Sequence, residues 1–465
     1  MNLRIITRQL LLGMLSLTLL MTACQSDKDT TVDPTTVKDY SAEAQLKWNQ
    51  LYLQVERYAG GYRPGPAPRS LAYMGLAAYE ACISGMPEYN SVKGLYQGLT
   101  IPEASKSKTY HWPTVVNASY AYLMKQFFPN AASDIQFKIT SLESELNTKF
   151  SGDIDQTEFD LSKAYGESVA AAVWEWSKTD TWGHDAYKDP FGTYDWQAAY
   201  NNTPGKWTAT FPGPGKPMFP YWGKVRTFAI LPQDKIALNP DTYAPYSETT
   251  TSAYYAQALE VYSRTIAPTF NDFWIAWFWS DDLLNLTFSP GPRWIAITNE
   301  VIAAENSNLE TSLYAYVKVG MALNDAAVAC WNSKYLYNVE RPTTYITNII
   351  DPNWKTLLNN PITGDENVTP SFPAYPSGHS TMGAAAAEVL DEVFGFDYAL
   401  TDRCHEDRSD FPGSTPRSFN SFDAMALENA ESRIALGVHY RMDCTEGVRL
   451  GHACGRRVND IEFKK

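Results

Sequence analysis

Helical periodicity dominates the chain. Residues 43–58, 67–84, 115–127, 132–150 and 159–178 each place apolar or small side chains at three- and four-residue steps. That spacing lines one face of an α-helix. The pattern resumes at 251–264, 270–285, 293–306, 309–334, 379–394, 423–438 and 443–458. Between the two sets, residues 186–246 change character, with DPFGTYDW, PGKW and FPGPGKPMFPYWG rich in Pro, Gly, Trp and Tyr. So many aromatics need a surface to pack on, which predicts an ordered excursion and not a flexible linker. No run of alternating strand-like segments and no internal repeat stands out. The predicted fold is all-α: two stacked helical bundles with long Pro- and aromatic-rich loops.

The start of the chain reads differently. Arg4 and Arg8 precede an apolar run from Leu10 to Met21, too short and too early for a spanning helix. The run ends in Met-Thr-Ala-Cys, and small residues before a Cys at this place read as a lipoprotein cleavage site. The expected organisation is a signal peptide over 1–24 with Cys24 lipidated, a polar tether over 25–42, and one helical domain over 43–465. The body would then touch a membrane only through its lipid, at the outer membrane or cell surface, with the soluble part in the periplasm or outside. Residues 25–29 (QSDKD) are suggestive of surface export. Five cysteines remain after Cys24, an odd number; Cys404, Cys444 and Cys454 are the plausible partners for a disulfide, and their spacing fits no zinc motif.

The 465 residues are 44% hydrophobic, ample for a large core. A net charge of -14 argues against nucleic acid or an anionic membrane face as partner. It also means that any anion site needs a basic cluster working against the global field.

Three segments supply such a cluster. In residues 334–342 (KYLYNVERP), Lys334 and Arg341 lie seven apart, so a helix would put both on one face, with Pro342 ending or kinking it. Residues 376–379 (PSGH) lead directly into a helix; Ser377 would cap it, Gly378 admits close backbone approach, and the free N–H groups and dipole of a helix start favour an anion beside His379. In residues 432–443 (SRIALGVHYRMD), Arg433 offers a planar fork. His439 and Asp443, four apart, would share a helical face, so that the carboxylate orients one imidazole. Gly447, Gly451 and Gly455 follow at four-residue intervals and predict a close helix contact. Together these residues predict a pocket, in the C-terminal bundle, for a tetrahedral oxyanion with an acid/base group at hand. His111, His184, His405 and His452 have no partnered spacing and are left outside it.

The three segments resemble, residue for residue, the tripartite signature of the type-2 phosphatidic acid phosphatase and vanadium haloperoxidase superfamily. FPAYPSGHS (372–380) is similar to the haloperoxidase version of the central motif. Trp331 and Phe372 match positions flanking the halide site in chloride-oxidising members. IAWFWSDD (275–282), PYWGKVRTF (220–228) and PAPRSLAYMGLAAYEA (66–81) also resemble secreted bacterial members, so the likeness covers roughly residues 45–456. It implies that Lys334, Arg341, Ser377, Gly378 and Arg433 hold the oxyanion's equatorial oxygens. His439 would be the axial ligand to vanadium, or the nucleophile towards phosphorus, with Asp443 orienting it. His379 would be the general acid/base, supported by Asp281 or Asp282. The expected cofactor is vanadate, with phosphate able to occupy the same site. The expected activity is halide oxidation with hydrogen peroxide; the alternative is a soluble phosphatase acting on a phosphate monoester through a phosphohistidine.

Overall fold

The computed structural model describes residues 36–465 apart from 201, 202, 211, 212, 214, 409 and 410. The signal peptide, Cys24 and most of the tether therefore lie outside the described residues. Among the described residues no helix is long and apolar enough to cross a membrane.

The first set of apolar stripes folds as α1 (Glu43–Glu56), α2 (Pro66–Cys82), α3 (Trp112–Phe127), α4 (Ser133–Ser151) and α5 (Gln156–Lys178). Local chemistry sets several ends: proline opens α2 and α3, and the Asp155 carboxylate caps α5 by accepting from the Thr157 and Glu158 amides. Residues 186–246 then form a short helix, α6 (Trp196–Tyr200), and several 3₁₀ turns. Trp207, Phe219 and Trp222 are buried there, so aromatics anchor the described part of the excursion, as their number predicts.

The second set comprises α7 (Ala253–Ile266), α8 (Phe270–Phe278), α9 (Pro290–Ala304), α10 (Leu309–Tyr337), α11 (Pro342–Ile349), α12 (Gly378–Phe394), α13 (Phe422–Ala435) and α14 (Arg441–Asn459). α10 is buried along nearly its whole length, because it packs on α2 from the first set and on α9, α12 and α14 from the second. A helix apolar all round belongs at such a centre. The fold is all-α as expected; among the described residues the strands are one antiparallel pair of three residues each, β1 (Leu400–Asp402) and β2 (Arg417–Phe419), with Leu400 opposite Phe419.

Three expectations need correction. The stripe at 270–285 stops being helical at Phe278, where the chain turns to present Asp281 and Asp282. α11 was not predicted, because Pro342 reads as a terminator and here occupies the first turn, where its missing N–H is no loss. Cys82, Cys330, Cys404, Cys444 and Cys454 are all unpaired, so the expected disulfide among the last three is absent.

The glycine stripe does what its spacing predicts. A Cβ at Gly447 would come 2.7 Å from the Ser380 Cβ, one at Gly451 would strike the Thr381 carbonyl, and one at Gly455 would come 2.6 Å from the Glu388 Cβ. α14 therefore lies directly on α12 through this stripe. Gly451→Val is expected to destabilise the protein by about 1–3 kcal/mol or more through overpacking. Urea unfolding checks it; an unchanged midpoint counts against the contact.

Candidate functional site

Chain reversals bring the three segments together. Asn338, in the left-handed region at φ 55°, ends α10. Arg341 is the residue preceding α11, so Lys334 and Arg341 do not share a helix as their spacing suggested. After α13, Gly437 at φ 90° turns the chain through a conformation that L side chains resist, delivering Val438 and His439 towards the start of α12.

Lys334 sits in the last turn of α10 and donates to three carbonyls, Pro373 O at 2.9 Å, Ala374 O at 2.7 Å and Pro376 O at 2.5 Å. All three N–H groups of the ammonium are thus engaged in holding the loop that leads to Ser377. Arg341 donates from Nε to Phe372 O at 2.9 Å and from Nη1 to Val438 O at 2.8 Å; Nη1 also lies 3.1 Å from His439 Nε2. Its Nη2 is buried without a partner.

His439 Nδ1 lies 3.0 Å from Asp443 Oδ2. The pair is not on one helical face, because α14 starts only at Arg441. Asp443 instead reaches back from the first turn, and the same oxygen accepts the Tyr440 amide at 2.9 Å. Arginine can only donate, so Nη1 of Arg341 fixes Nε2 of His439 as a bare lone pair and leaves the proton on Nδ1. Ser377 caps α12, its Oγ 3.4 Å from the Ser380 amide, and its own amide donates to Asp443 O at 2.9 Å. A Cβ on Gly378 would lie 3.2 Å from the Trp331 ring, so any side chain there would press that ring away from the helix start by a few tenths of an ångström.

His379, in the first turn of α12, has its Nε2 buried without a hydrogen bond, 4.0 Å from Asp282 Oδ1. Asp282 Oδ2 accepts Arg433 Nη2 at 2.8 Å, while Nε and Nη1 of Arg433 are buried and unpartnered. The two candidate aspartates are therefore distinguished. Asp281 turns away to Arg293 Nη1 at 3.2 Å and His405 Nε2 at 3.0 Å, and Arg293 also holds Asp402 at 2.6 Å. His405 serves that buried ion pair, and His452 lies between Glu388 and Asp423. Neither belongs to the cluster, as expected. Arg293 was missed by sequence reasoning: its partners are brought to it by the fold, and no local spacing marks them.

The cluster forms part of the wall of a cavity of ≈ 380 Å³ that is otherwise largely apolar. His379, His439, Gly378, Arg433 and Asp282 line it, together with Trp331 and Phe372, whose ring centres are 4.9 Å apart. Burial, with the nearby Arg433, Lys334 and Arg341, holds His379 well below the usual histidine range; burial and the same cations do so for His439. Both imidazoles are neutral at neutral pH. Burial also raises Asp443 and lowers Lys334.

A buried donor without an acceptor costs about 1–3 kcal/mol, more when charged. Here the unpartnered donors of Arg341 and Arg433 converge beside two neutral imidazoles. This donor set fits a small oxyanion, which brings only acceptors and negative charge, and does not fit a bare metal cation.

The depressed histidine has a measurable consequence. The folded protein binds fewer protons at His379 than the unfolded chain as pH falls through about 6.5, so this group lowers stability below that pH and not above it. Without anion, the melting temperature of His379→Gln relative to wild type should therefore rise as pH is lowered from about 8 to about 5. A gap independent of pH would contradict the burial argument.

The crystal structure of the first bacterial vanadium-dependent iodoperoxidase superposes on this fold with a TM-score of 0.79 at 30% identity, covering 92% of this chain and 98% of that one. The chain belongs to the vanadium haloperoxidase family. A family profile described as the VCPO second helical-bundle domain matches residues 314–464, the span that holds all three segments. The vanadium chloroperoxidase of Curvularia inaequalis is 24% identical over 513 residues, 87% of this chain and 80% of that protein. The vanadium-dependent bromoperoxidase of Ascophyllum nodosum is 35% identical over 91 residues, 18% of this chain and 16% of that protein.

Proposed function

We propose that the protein binds vanadate at the Arg341–Arg433–His439 cluster and oxidises halide with hydrogen peroxide. The observation that carries the reading is the set of buried, unpartnered N–H groups on Arg341 and Arg433, beside a histidine whose Nε2 carries no proton and accepts only from Arg341 Nη1. Named relatives that are chloro-, bromo- and iodoperoxidases favour this over a phosphatase.

Arg341, Arg433, Ser377 and the Gly378 backbone at the α12 start would hold the oxygens of the anion. Lys334 contributes positive charge from behind the loop it clamps. His439 would ligate vanadium through Nε2, with Asp443 keeping the proton on Nδ1. When bound, vanadate supplies a Lewis acid that activates peroxide towards halide. His379 would carry the proton at its unpartnered Nε2, oriented by Asp282, which the Arg433 guanidinium in turn holds in place. Trp331 and Phe372 would flank the halide and exclude water.

The sequence around Cys24 supports a lipid anchor, with the enzyme body at the outer membrane or cell surface; metabolic fatty-acid labelling that gives no signal would overturn this part. The catalytic reading is tested side by side, with orthovanadate, peroxide and bromide or iodide in one arm and a phosphate monoester in the other. Vanadate-dependent halide oxidation with negligible ester hydrolysis is expected. Ester hydrolysis without halide oxidation would overturn it.

A further inference from the structure

A second cavity, of ≈ 260 Å³, shares no lining residue with the one on the oxyanion cluster. Backbone pairing between the aromatic-rich excursion and the segment after α10 frames it. Glu340 N donates to Gly205 O at 3.0 Å, and Trp207 N to Asn338 O at 2.8 Å. Trp196 and Tyr246 supply aromatic walls, and Thr344 and Asn348, one turn apart on α11, supply polar atoms. Gly205, at φ 79°, permits the close approach: a Cβ there would come 2.6 Å from the Tyr246 ring.

Glu340 lines this cavity too. It is only 5% exposed, yet its Oε1 is buried without a hydrogen bond, and among the described residues no ion pair reaches its carboxyl. The charged groups around it do not neutralise it. Glu248, which accepts the Tyr246 hydroxyl at 2.7 Å, is a second acid. Lys206 is turned to the Tyr337 carbonyl, to which its Nζ donates at 2.9 Å. The Arg341 guanidinium, next in the chain, reaches the Phe372 and Val438 carbonyls instead. Tyr254, Tyr345 and Tyr440, the other titratable side chains nearby, bring hydroxyls and no positive charge.

A buried acid beside aromatic faces, with no cation of its own, is completed by a ligand that brings one. The orphaned acceptor selects a cation with N–H groups. The volume falls below the roughly 300–1,000 Å³ of pockets for drug-sized ligands, so it suits a short chain. A divalent metal ion fits less well, because among the described residues Glu340 is the only carboxylate lining the cavity. We propose that this cavity binds a primary alkylammonium, its N–H groups donating to Glu340 and its alkyl chain lying against Trp196 and Tyr246.

Burial, with Glu248 adding to it, pushes the Glu340 carboxyl up to about 8. Below that pH the ligand must displace the Glu340 proton, while an alkylammonium keeps its own charge up to about pH 10. Affinity should therefore rise about tenfold per pH unit from about pH 6 to about pH 8 and level off above.

The test titrates n-butylammonium chloride into the intact protein by calorimetry. One saturable site of millimolar or tighter Kd is expected at about pH 8.5, with 1-butanol, which has the chain but no charge, at least about tenfold weaker. Glu340→Gln puts a neutral isostere where the buried acid is protonated at about pH 6, so it should keep the wild-type melting temperature there. At about pH 8.5 it should bind butylammonium at least about tenfold more weakly. Trp196→Ala, at a half-buried position, removes one aromatic wall and should weaken butylammonium about threefold. This second variant decides the matter if Glu340→Gln folds poorly. Absence of saturable binding to wild type, an affinity independent of pH, or wild-type affinity in the folded variants overturns the site.

Discussion

His439→Ala is expected to abolish halide oxidation, while His379→Ala lowers turnover by about a hundredfold or more, the usual scale for a lost general acid/base. The difference follows from what each imidazole is attached to. His439 is held on both sides, by Asp443 at Nδ1 and by the Arg341 guanidinium at Nε2. The single Nε2 lone pair is thereby fixed in orientation, and vanadium would take the place that the Arg341 N–H now fills. His379 has no hydrogen bond at Nε2, and its nearest acid, Asp282, is already engaged by Arg433. It is placed to carry a proton and not to hold a ligand. Asp443→Ala should fall between the two, at about ten- to a hundredfold, because a misoriented imidazole is still present. Steady-state rates for the three variants at saturating peroxide check the order. Equal losses for His379→Ala and His439→Ala would count against separate roles.

Arg433→Ala should remove most of the stabilisation that vanadate gives. A ligand that binds only the native state at about 1,000 times its Kd stabilises by about 4 kcal/mol. Arg433 brings two unpartnered N–H groups to the cavity. Its removal deletes those donors and also leaves Asp282 buried without its cation, a negative charge beside the place where the oxyanion would sit. Both effects weaken anion binding. Breaking a buried pair typically costs about 3–5 kcal/mol, so the anion-free variant should also melt earlier unless Asp282 takes up a proton. Arg433→Lys keeps the charge but not the planar fork, and should recover only part of the shift. Melting curves with and without vanadate measure all of this. A full vanadate shift in Arg433→Ala would show that the anion sits elsewhere.

The helices and the residues of the cluster were legible in the sequence, because both are written locally. A stripe at three- and four-residue steps is visible within one segment, and so are Ser377-Gly378 before a helix and glycines every fourth residue in α14. The wiring between segments was not legible. Lys334 and Arg341 looked like one helical face, yet Asn338 ends the helix between them. His439 and Asp443 looked like a helical pair, yet their contact is made across a helix start, where a carboxylate in the first turn reaches back. Asp281 and Asp282 are neighbours in sequence with opposite destinations, decided by Arg293 on one side and Arg433 on the other. Such choices depend on which long-range partner the fold delivers, and spacing along the chain carries no record of it. The same is true of Glu340 and the cavity it lines, assembled from segments with no common pattern.

In the one oxyanion site that the three segments form, His439 would make the bond and His379 would not. Equilibrium titration of orthovanadate into wild type, His379→Ala and His439→Ala, followed by calorimetry with phosphate as competitor, tests it most directly. The expected result is one vanadate per wild-type chain, displaced by phosphate, with affinity largely kept in His379→Ala and lost in His439→Ala. Loss of vanadate in His379→Ala with retention in His439→Ala, or no binding to wild type at millimolar vanadate, would contradict the account.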